Sequence, residues 1–212
     1  MDTTRTLRLL LCLALTISAT SCGPPQNVEL GAMPVPHLDF HPPAASPQEP
    51  WRPPADTDSP WAPQGYRPWR YIVIHHSATD DGNARQFDKA HRRRGWDELG
   101  YHFVIDNGTT TKIDGQIEAS PRWIKQMDGA HCNAAGMNQC GIGICLVGDF
   151  THHPPSQAQM DSLVLLVNIL QKYYRIPLKR VIGHRDVPGK ITECPGKSFP
   201  WDEFKRRLRR GR

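Results

Sequence analysis

The chain has 212 residues, of which 38% are hydrophobic and 22% charged. These are the proportions of a soluble globular protein, with length for one ordinary domain plus additional segments. Much of the formal charge of +5 sits in Lys205-Arg206-Arg207-Leu208-Arg209-Arg210-Gly211-Arg212. No RNA- or DNA-binding motif accompanies that run, which excludes nucleic acid as the main partner. A solvated, frayed terminus is the plain reading of it, with anionic lipid or an anionic polymer as the alternatives.

The first element along the chain is a targeting segment. Arg5 and Arg8 form a basic start, and residues 9–17 are an apolar stretch of secretory length, too short to span a membrane. Ser18-Ala19-Thr20-Ser21 ahead of Cys22 resembles a bacterial lipoprotein cleavage site, although Ala19 stands where Leu is usual. Residues 1–21 are therefore expected to be a signal peptide, with lipid on Cys22. Ordinary signal cleavage is the alternative. Either route exports the chain to the cell envelope, and the lipid would tether it to a membrane. Residues 22–68 are rich in Pro, Ala, Ser and Asp and read as an extended, flexible linker. A folded domain is expected over 69–208, followed by a basic tail at 209–212.

Within the domain, residues 71–75 (Tyr-Ile-Val-Ile-His) form a short strand. A helix follows over 83–94, stopped by Gly95, with Phe87, Ala90 and His91 at helical spacing. A second strand spans 101–106. The Asn107-Gly108 turn signal leads into a strand at 109–113. Residues 141–147 are a nearly continuous apolar run, as a strand buried on both faces requires. Ser156 and Gln159 spell a capping box for a helix reaching Tyr174, with Met160, Leu163, Val164, Val167 and Leu170 on one stripe. A last strand covers 180–182 and a terminal helix 201–208. Strands and helices alternate without a strict repeat, so the fold class is α/β, a mixed central β-sheet flanked by helices.

Four cysteines fall in the domain: Cys132, Cys140, Cys145 and Cys194. An exported domain permits disulfides, and three full pairings exist. Cys132 and Cys140 flank one Gly- and Asn-containing loop and are the favoured pair. Cys145 is left as a buried thiol and Cys194 as a metal ligand.

Chemistry concentrates at His75, His184 and Cys194. Strand alternation turns Tyr71, Val73 and His75 to one face and Ile72, Ile74 and His76 to the other, so only one of the two adjacent histidines enters a given site. His184 and Cys194 bracket a Pro- and Gly-containing loop whose ten-residue step lets both side chains meet one ion. Two imidazoles and a thiolate are the three protein ligands of a zinc ion that keeps a position open for chemistry. Metal-assisted hydrolysis is the reaction class this set serves. A Cys194 nucleophile with His184 as base is the competing reading, weakened because no third group orients the pair.

Ile74-His75-His76-Ser77-Ala78-Thr79, Gly95-Trp96, Gly100-Tyr101-His102-Phe103-Val104-Ile105, Gly129-Ala130-His131, Asn138, Gly141-Ile142-Gly143-Ile144-Cys145-Leu146-Val147-Gly148, Gly183-His184-Arg185-Asp186 and Thr192-Glu193-Cys194-Pro195-Gly196 occur in this order. Together they resemble the zinc-dependent N-acetylmuramoyl-L-alanine amidases, a family that includes short bacteriophage lysozymes and peptidoglycan recognition proteins. The resemblance covers residues 70–205. It implies Zn2+ on His75, His184 and Cys194, and catalytic roles for Tyr101 and Thr192. It also implies that His131 and Trp96 line a substrate groove. Phage-type members carry Lys where this chain has Thr192. Nearby Lys190 is a candidate substitute, and His131 or Glu193 a candidate proton donor. The implied activity is hydrolysis of the amide between N-acetylmuramic acid and L-alanine, in peptidoglycan or muropeptides, by a monomer. The alternative is a peptidoglycan-binding module without catalysis, since non-enzymatic members lack the thiolate ligand.

Overall fold

The computed structural model describes residues 61–211. The expected signal peptide, Cys22 and the linker up to residue 60 lie outside the described residues. The elements run β1 (Tyr71–His76), α1 (Ala84–Arg93), β2 (Phe103–Asn107), β3 (Asp114–Ala119), α2 (Pro121–Ile124), α3 (Met137–Cys140), β4 (Gly141–Leu146), α4 (Gln157–Tyr174), β5 (Val181–Gly183) and α5 (Trp201–Arg210).

The strands form one mixed sheet in the order β3-β2-β4-β1-β5. β1 pairs parallel with β4 and β5, β2 pairs parallel with β4, and β3 closes one edge antiparallel to β2. β4 lies at the centre, and every one of its residues is buried. This is why its sequence is an uninterrupted apolar run rather than an alternating one.

Alternation divides the sheet into two faces. Ile72, Ile74, Phe103, Ile105, Ile142, Ile144 and Leu146 join Leu163, Leu166, Val167 and Leu170 of α4 and Phe204 and Leu208 of α5 in the main core. Each fully buried side chain of this size contributes about 1.5–3 kcal/mol. Leu99, Val104, Cys145 and Val147 form a smaller cluster on the other face, under Ala84 and Phe87 of α1. The capping box fixes the start of α4: the Ser156 hydroxyl accepts from the Gln159 N–H at 3.0 Å, and the Gln159 carboxamide accepts from the Ser156 N–H at 3.1 Å.

Several boundaries differ from the sequence reading. The strand expected at 109–113 is a loop, and β3 begins at Asp114. Asn107 Oδ1 accepts from the Thr109 N–H at 3.3 Å, and Thr110 and Thr111 adopt left-handed φ of 53° and 65°. Side-chain capping and two left-handed residues preclude an extended segment there. α5 runs on to Arg210, so part of the expected tail is helical. The packed region also starts ahead of Trp69: the Trp61 carbonyl accepts from Trp123 Nε1 at 2.7 Å, and the Gln64 N–H donates to the Ile124 carbonyl at 2.8 Å.

The four cysteines of the domain are free thiols. The favoured Cys132–Cys140 pair is not bonded, because α3 carries Cys140 to the start of β4. There it lies near Arg67, Arg70 and Arg180, whereas Cys132 lies near Lys190.

Candidate metal centre

His75 leaves the C-terminal part of β1 on the α1 face, level with Cys145 of the adjacent strand. His76 turns the other way, where its Nδ1 accepts from the Phe150 N–H at 3.1 Å. His184 follows the last residue of β5, which places it beside β1 because Gly183 pairs with Ile74. The loop after it returns: the Arg185 N–H donates to the Cys194 carbonyl at 2.8 Å. Gly183 permits this close return, since a Cβ there would lie 2.9 Å from both Pro195 and Trp201. Ligand atoms of His75, His184 and Cys194 consequently all lie within 4.8 Å of one another. Among the described residues this is the one such cluster of His, Cys, Asp and Glu.

Hydrogen bonding sets the tautomer of His75. Its Nε2 lies 3.1 Å from His131 Nδ1, and His131 Nε2 lies 3.1 Å from the Gly141 carbonyl oxygen. A carbonyl can only accept, so His131 carries its proton on Nε2 and presents a lone pair at Nδ1. His75 then donates from Nε2, and its Nδ1 lone pair faces Cys194 Sγ at 3.7 Å. A ligating histidine anchored through its other nitrogen is the usual arrangement around a metal.

Electrostatics favour uncharged rings. Burial, followed by the neighbouring His131, His184, His76 and Lys190, holds His75 well below its ordinary range. Burial and Lys190 lower His184 to about 4. Burial pushes the Cys194 thiol up to about 12, opposed by the His76 N–H, which points at the sulfur from 3.5 Å. A thiol this weakly acidic is not a nucleophile at neutral pH, which removes support from the Cys–His reading. A bound cation reverses the situation by deprotonating a coordinating thiol outright. The donor set fits such an ion on a further count: His184 Nε2 is buried and has no hydrogen-bond partner.

The remaining predicted residues surround this trio. Tyr101 places its ring centroid 5.3 Å from that of His75. Its hydroxyl bonds the Cys145 thiol, and burial raises its pKa well above the ordinary phenol value, so it is a neutral donor. Thr192 is half-buried, and its hydroxyl oxygen accepts from the Cys194 N–H at 3.2 Å, bracing the loop that presents the sulfur. Trp96 is 39% exposed, with its ring 4.5 Å from His91, whose own ring lies 5.6 Å from Tyr101. His131 is 7% exposed and lies against His75, to which it is hydrogen-bonded. Gly129 and Gly143 make room for its ring, and a Cβ on either would strike it.

Two contributors escaped the sequence reading. His91, read only as a helix position, accepts from the Gly100 N–H through Nδ1 at 3.0 Å and fills the space between Trp96 and Tyr101. Cys145 holds the Tyr101 hydroxyl, a contact set by the pairing of β2, which follows Tyr101, with β4, where Val104 lies level with Cys145. Lys190, the candidate substitute for the Lys of phage-type members, donates to Asn133 Oδ1 at 2.8 Å, so it is tied to the opposite loop beside the trio.

Fold and site together define a mixed α/β domain that gathers a His-His-Cys cluster at strand ends. Residues 65–197 match the family model described as N-acetylmuramoyl-L-alanine amidase, and the chain belongs to that family. It is 36% identical over 133 residues to the endolysin of Enterobacteria phage T3, covering 58% of this chain and 78% of the phage protein. The N-acetylmuramoyl-L-alanine amidase LysC from Clostridium intestinale superposes with a TM-score of 0.57 at 33% identity, over 66% of this chain and 85% of that one. A mutant of Drosophila PGRP-LB solved in complex with tracheal cytotoxin superposes with a TM-score of 0.50 at 27% identity, over 64% of this chain and 79% of that one. Membership of this family associates the chain with amide hydrolysis in peptidoglycan or with its recognition.

Proposed function

We propose that this protein is a zinc-dependent N-acetylmuramoyl-L-alanine amidase. It cuts the amide joining N-acetylmuramic acid to L-alanine in peptidoglycan or its soluble fragments. The observation that carries this reading is the convergence of His75, His184 and Cys194 within 4.8 Å from separate chain segments. A non-catalytic recognition module has no need of the thiolate, and Cys194 is both present and directed at His75.

His75, His184 and Cys194 would hold the ion. Zinc bound there supplies Lewis acidity and brings the pKa of water to about 7. The protein's own groups do the rest. His131 and the Gly141 carbonyl fix the His75 ring so that Nδ1 remains a lone pair. The Tyr101 hydroxyl, kept neutral, is a donor for the oxygen on which charge develops during attack on the amide. Removing one such donor typically costs about a hundred- to thousandfold in rate. Thr192 holds the Cys194 loop in register. Trp96 and Lys190 stand at the rim as contacts for the glycan or the stem peptide. A further part of the proposal rests on sequence alone: the protein acts outside the cytoplasm, held to a membrane by lipid on Cys22.

Purified peptidoglycan digested with the protein, with and without a chelator, tests the activity. Mass spectrometry should find free stem peptides beginning with L-alanine in the untreated digest alone, and metal analysis should find zinc bound to the chain. Binding to peptidoglycan with no peptide released, even after zinc is added, would leave a recognition module in place of an enzyme.

A further inference from the structure

We propose that the outer face of α4 and the C-terminal half of α5 form a docking surface for an anionic lipid bilayer. The inference is independent of how the metal centre is read. α4 turns Leu163, Leu166, Val167 and Leu170 toward the sheet. On its outer side Leu165 is 53% exposed and Ile169 45% exposed, one helical turn apart. Asp161, Leu165, Asn168 and Lys172 follow helical spacing along one stripe. α5 borders that stripe: Arg207 pairs with Asp161, and Gly211 lies against Asn168. Leu165 therefore sits between two points of contact with α5, and Ile169 lines the concavity that Lys172, Arg175 and Gly211 share.

The charge around these apolar side chains is predominantly positive. All five cations of α5 follow Asp202 and Glu203, and four of them fall in its second half. Phe204 and Leu208 anchor the helix, which leaves Arg206, Arg209 and Arg210 exposed. Lys172 and Arg175 are exposed at the end of α4. Asp161, the acid of the stripe, is engaged by Arg207. A second copy of this chain would meet like charge across such a surface. A soluble polyanion would match the cations but would leave Leu165 and Ile169 in water. An anionic bilayer satisfies both features, since the apolar pair enters the headgroup boundary while the cations meet lipid phosphates. Contact here would be peripheral, because none of the described helices is long and apolar enough to cross a membrane. α4 lies across the sheet from His75 and α1, so a protein docked this way presents its metal centre away from the lipid.

Vesicle sedimentation of the exported form, residues 22–212 carrying Cys22→Ser so that no acyl chain attaches, tests the surface. Binding should require about 30% anionic lipid and should fall at least tenfold as salt rises from about 50 to about 300 mM. Replacing Arg209 and Arg210 by Gln should weaken it by about 25-fold, at roughly fivefold per cation. Leu165→Ser with Ile169→Ser should weaken vesicle binding severalfold while leaving inorganic polyphosphate binding unchanged. Thermal melting of each variant, all at exposed positions, verifies that the fold is intact. Failure to bind anionic vesicles would overturn the proposal. So would vesicle binding indifferent to the Leu165 and Ile169 changes, which would mark a polyanion surface instead.

Discussion

The two faces of the central sheet are buried to the same degree, one by apolar side chains and the other by apolar side chains mixed with ionisable ones. Toward α4 the buried side chains are Ile72, Ile74, Phe103, Ile105, Ile142, Ile144 and Leu146, each 0% exposed. Toward α1 stand His75 at 1%, Cys145 at 0% and Asp106 at 0%, with His131 laid over Gly143. An apolar face tolerates most apolar substitutions that conserve volume. A buried polar face tolerates few, because each donor and acceptor needs its partner. The first face supplies stability and the second spends some of it to hold ligands in place.

The largest break in that division is expected on the polar face. Cys194→Ser and His75→Ala should each cut amide release by about a thousandfold or more and abolish zinc retention, with the melting temperature of the metal-free protein little changed. A Cys194→Ser protein with full activity and zinc content would remove the ligand assignment. On the apolar face the pattern should invert. Leu163→Ala should cost about 2–5 kcal/mol in urea unfolding and leave turnover per folded molecule within about twofold. A loss of turnover matching the ligand variants would mean that the faces are not separable.

A smaller effect sharpens the boundary between ligand and support. His131→Ala removes the acceptor that fixes His75 and should weaken zinc affinity by about 10- to 100-fold, read by competition with a chelating dye. A purely substrate-binding His131 predicts unchanged zinc affinity and a raised KM, and that outcome would return the residue to the groove.

The legible parts of the sequence were those whose signals are local. The Ser156–Gln159 capping box and the stripe after it lie within one helix, and both appear as read. The apolar run of β4 encodes its own central position. The His-His-Cys trio was legible because residue type carries it, and because a short Pro-Gly loop brings Cys194 back to His184. Register between distant segments was hidden. Nothing in residues 71–76 states that His75 will lie level with Cys145, or that the ring of His131 will rest on Gly143. His131 was thus assigned to the site without its hydrogen bond to His75 being read. β3 was misplaced for a related reason: Asn107-Gly108 reads as a two-residue turn, but the Asn107 side chain and two left-handed threonines lengthen it.

A pH-dependent effect isolates what the polar face costs. Asp106 is fully buried beside Glu118, which is already engaged by the Ala84 N–H at 2.9 Å and by Lys112 Nζ at 2.5 Å. Burial first, and the Glu118 charge second, raise Asp106 from 3.8 to about 7, with Lys112 opposing. A raised acid binds a proton in the folded state that the unfolded chain has already released. Stability from this group is therefore present at low pH and declines as pH rises from about 4 to about 7. Asp106→Asn keeps the shape and removes the titration. Its stability relative to the parent should climb across that window and level off above it, measured as the difference between urea midpoints at matched pH. Parallel curves for the two proteins would show that Asp106 ionises freely when folded, and the α1 face would then carry its buried carboxylate without the expected penalty.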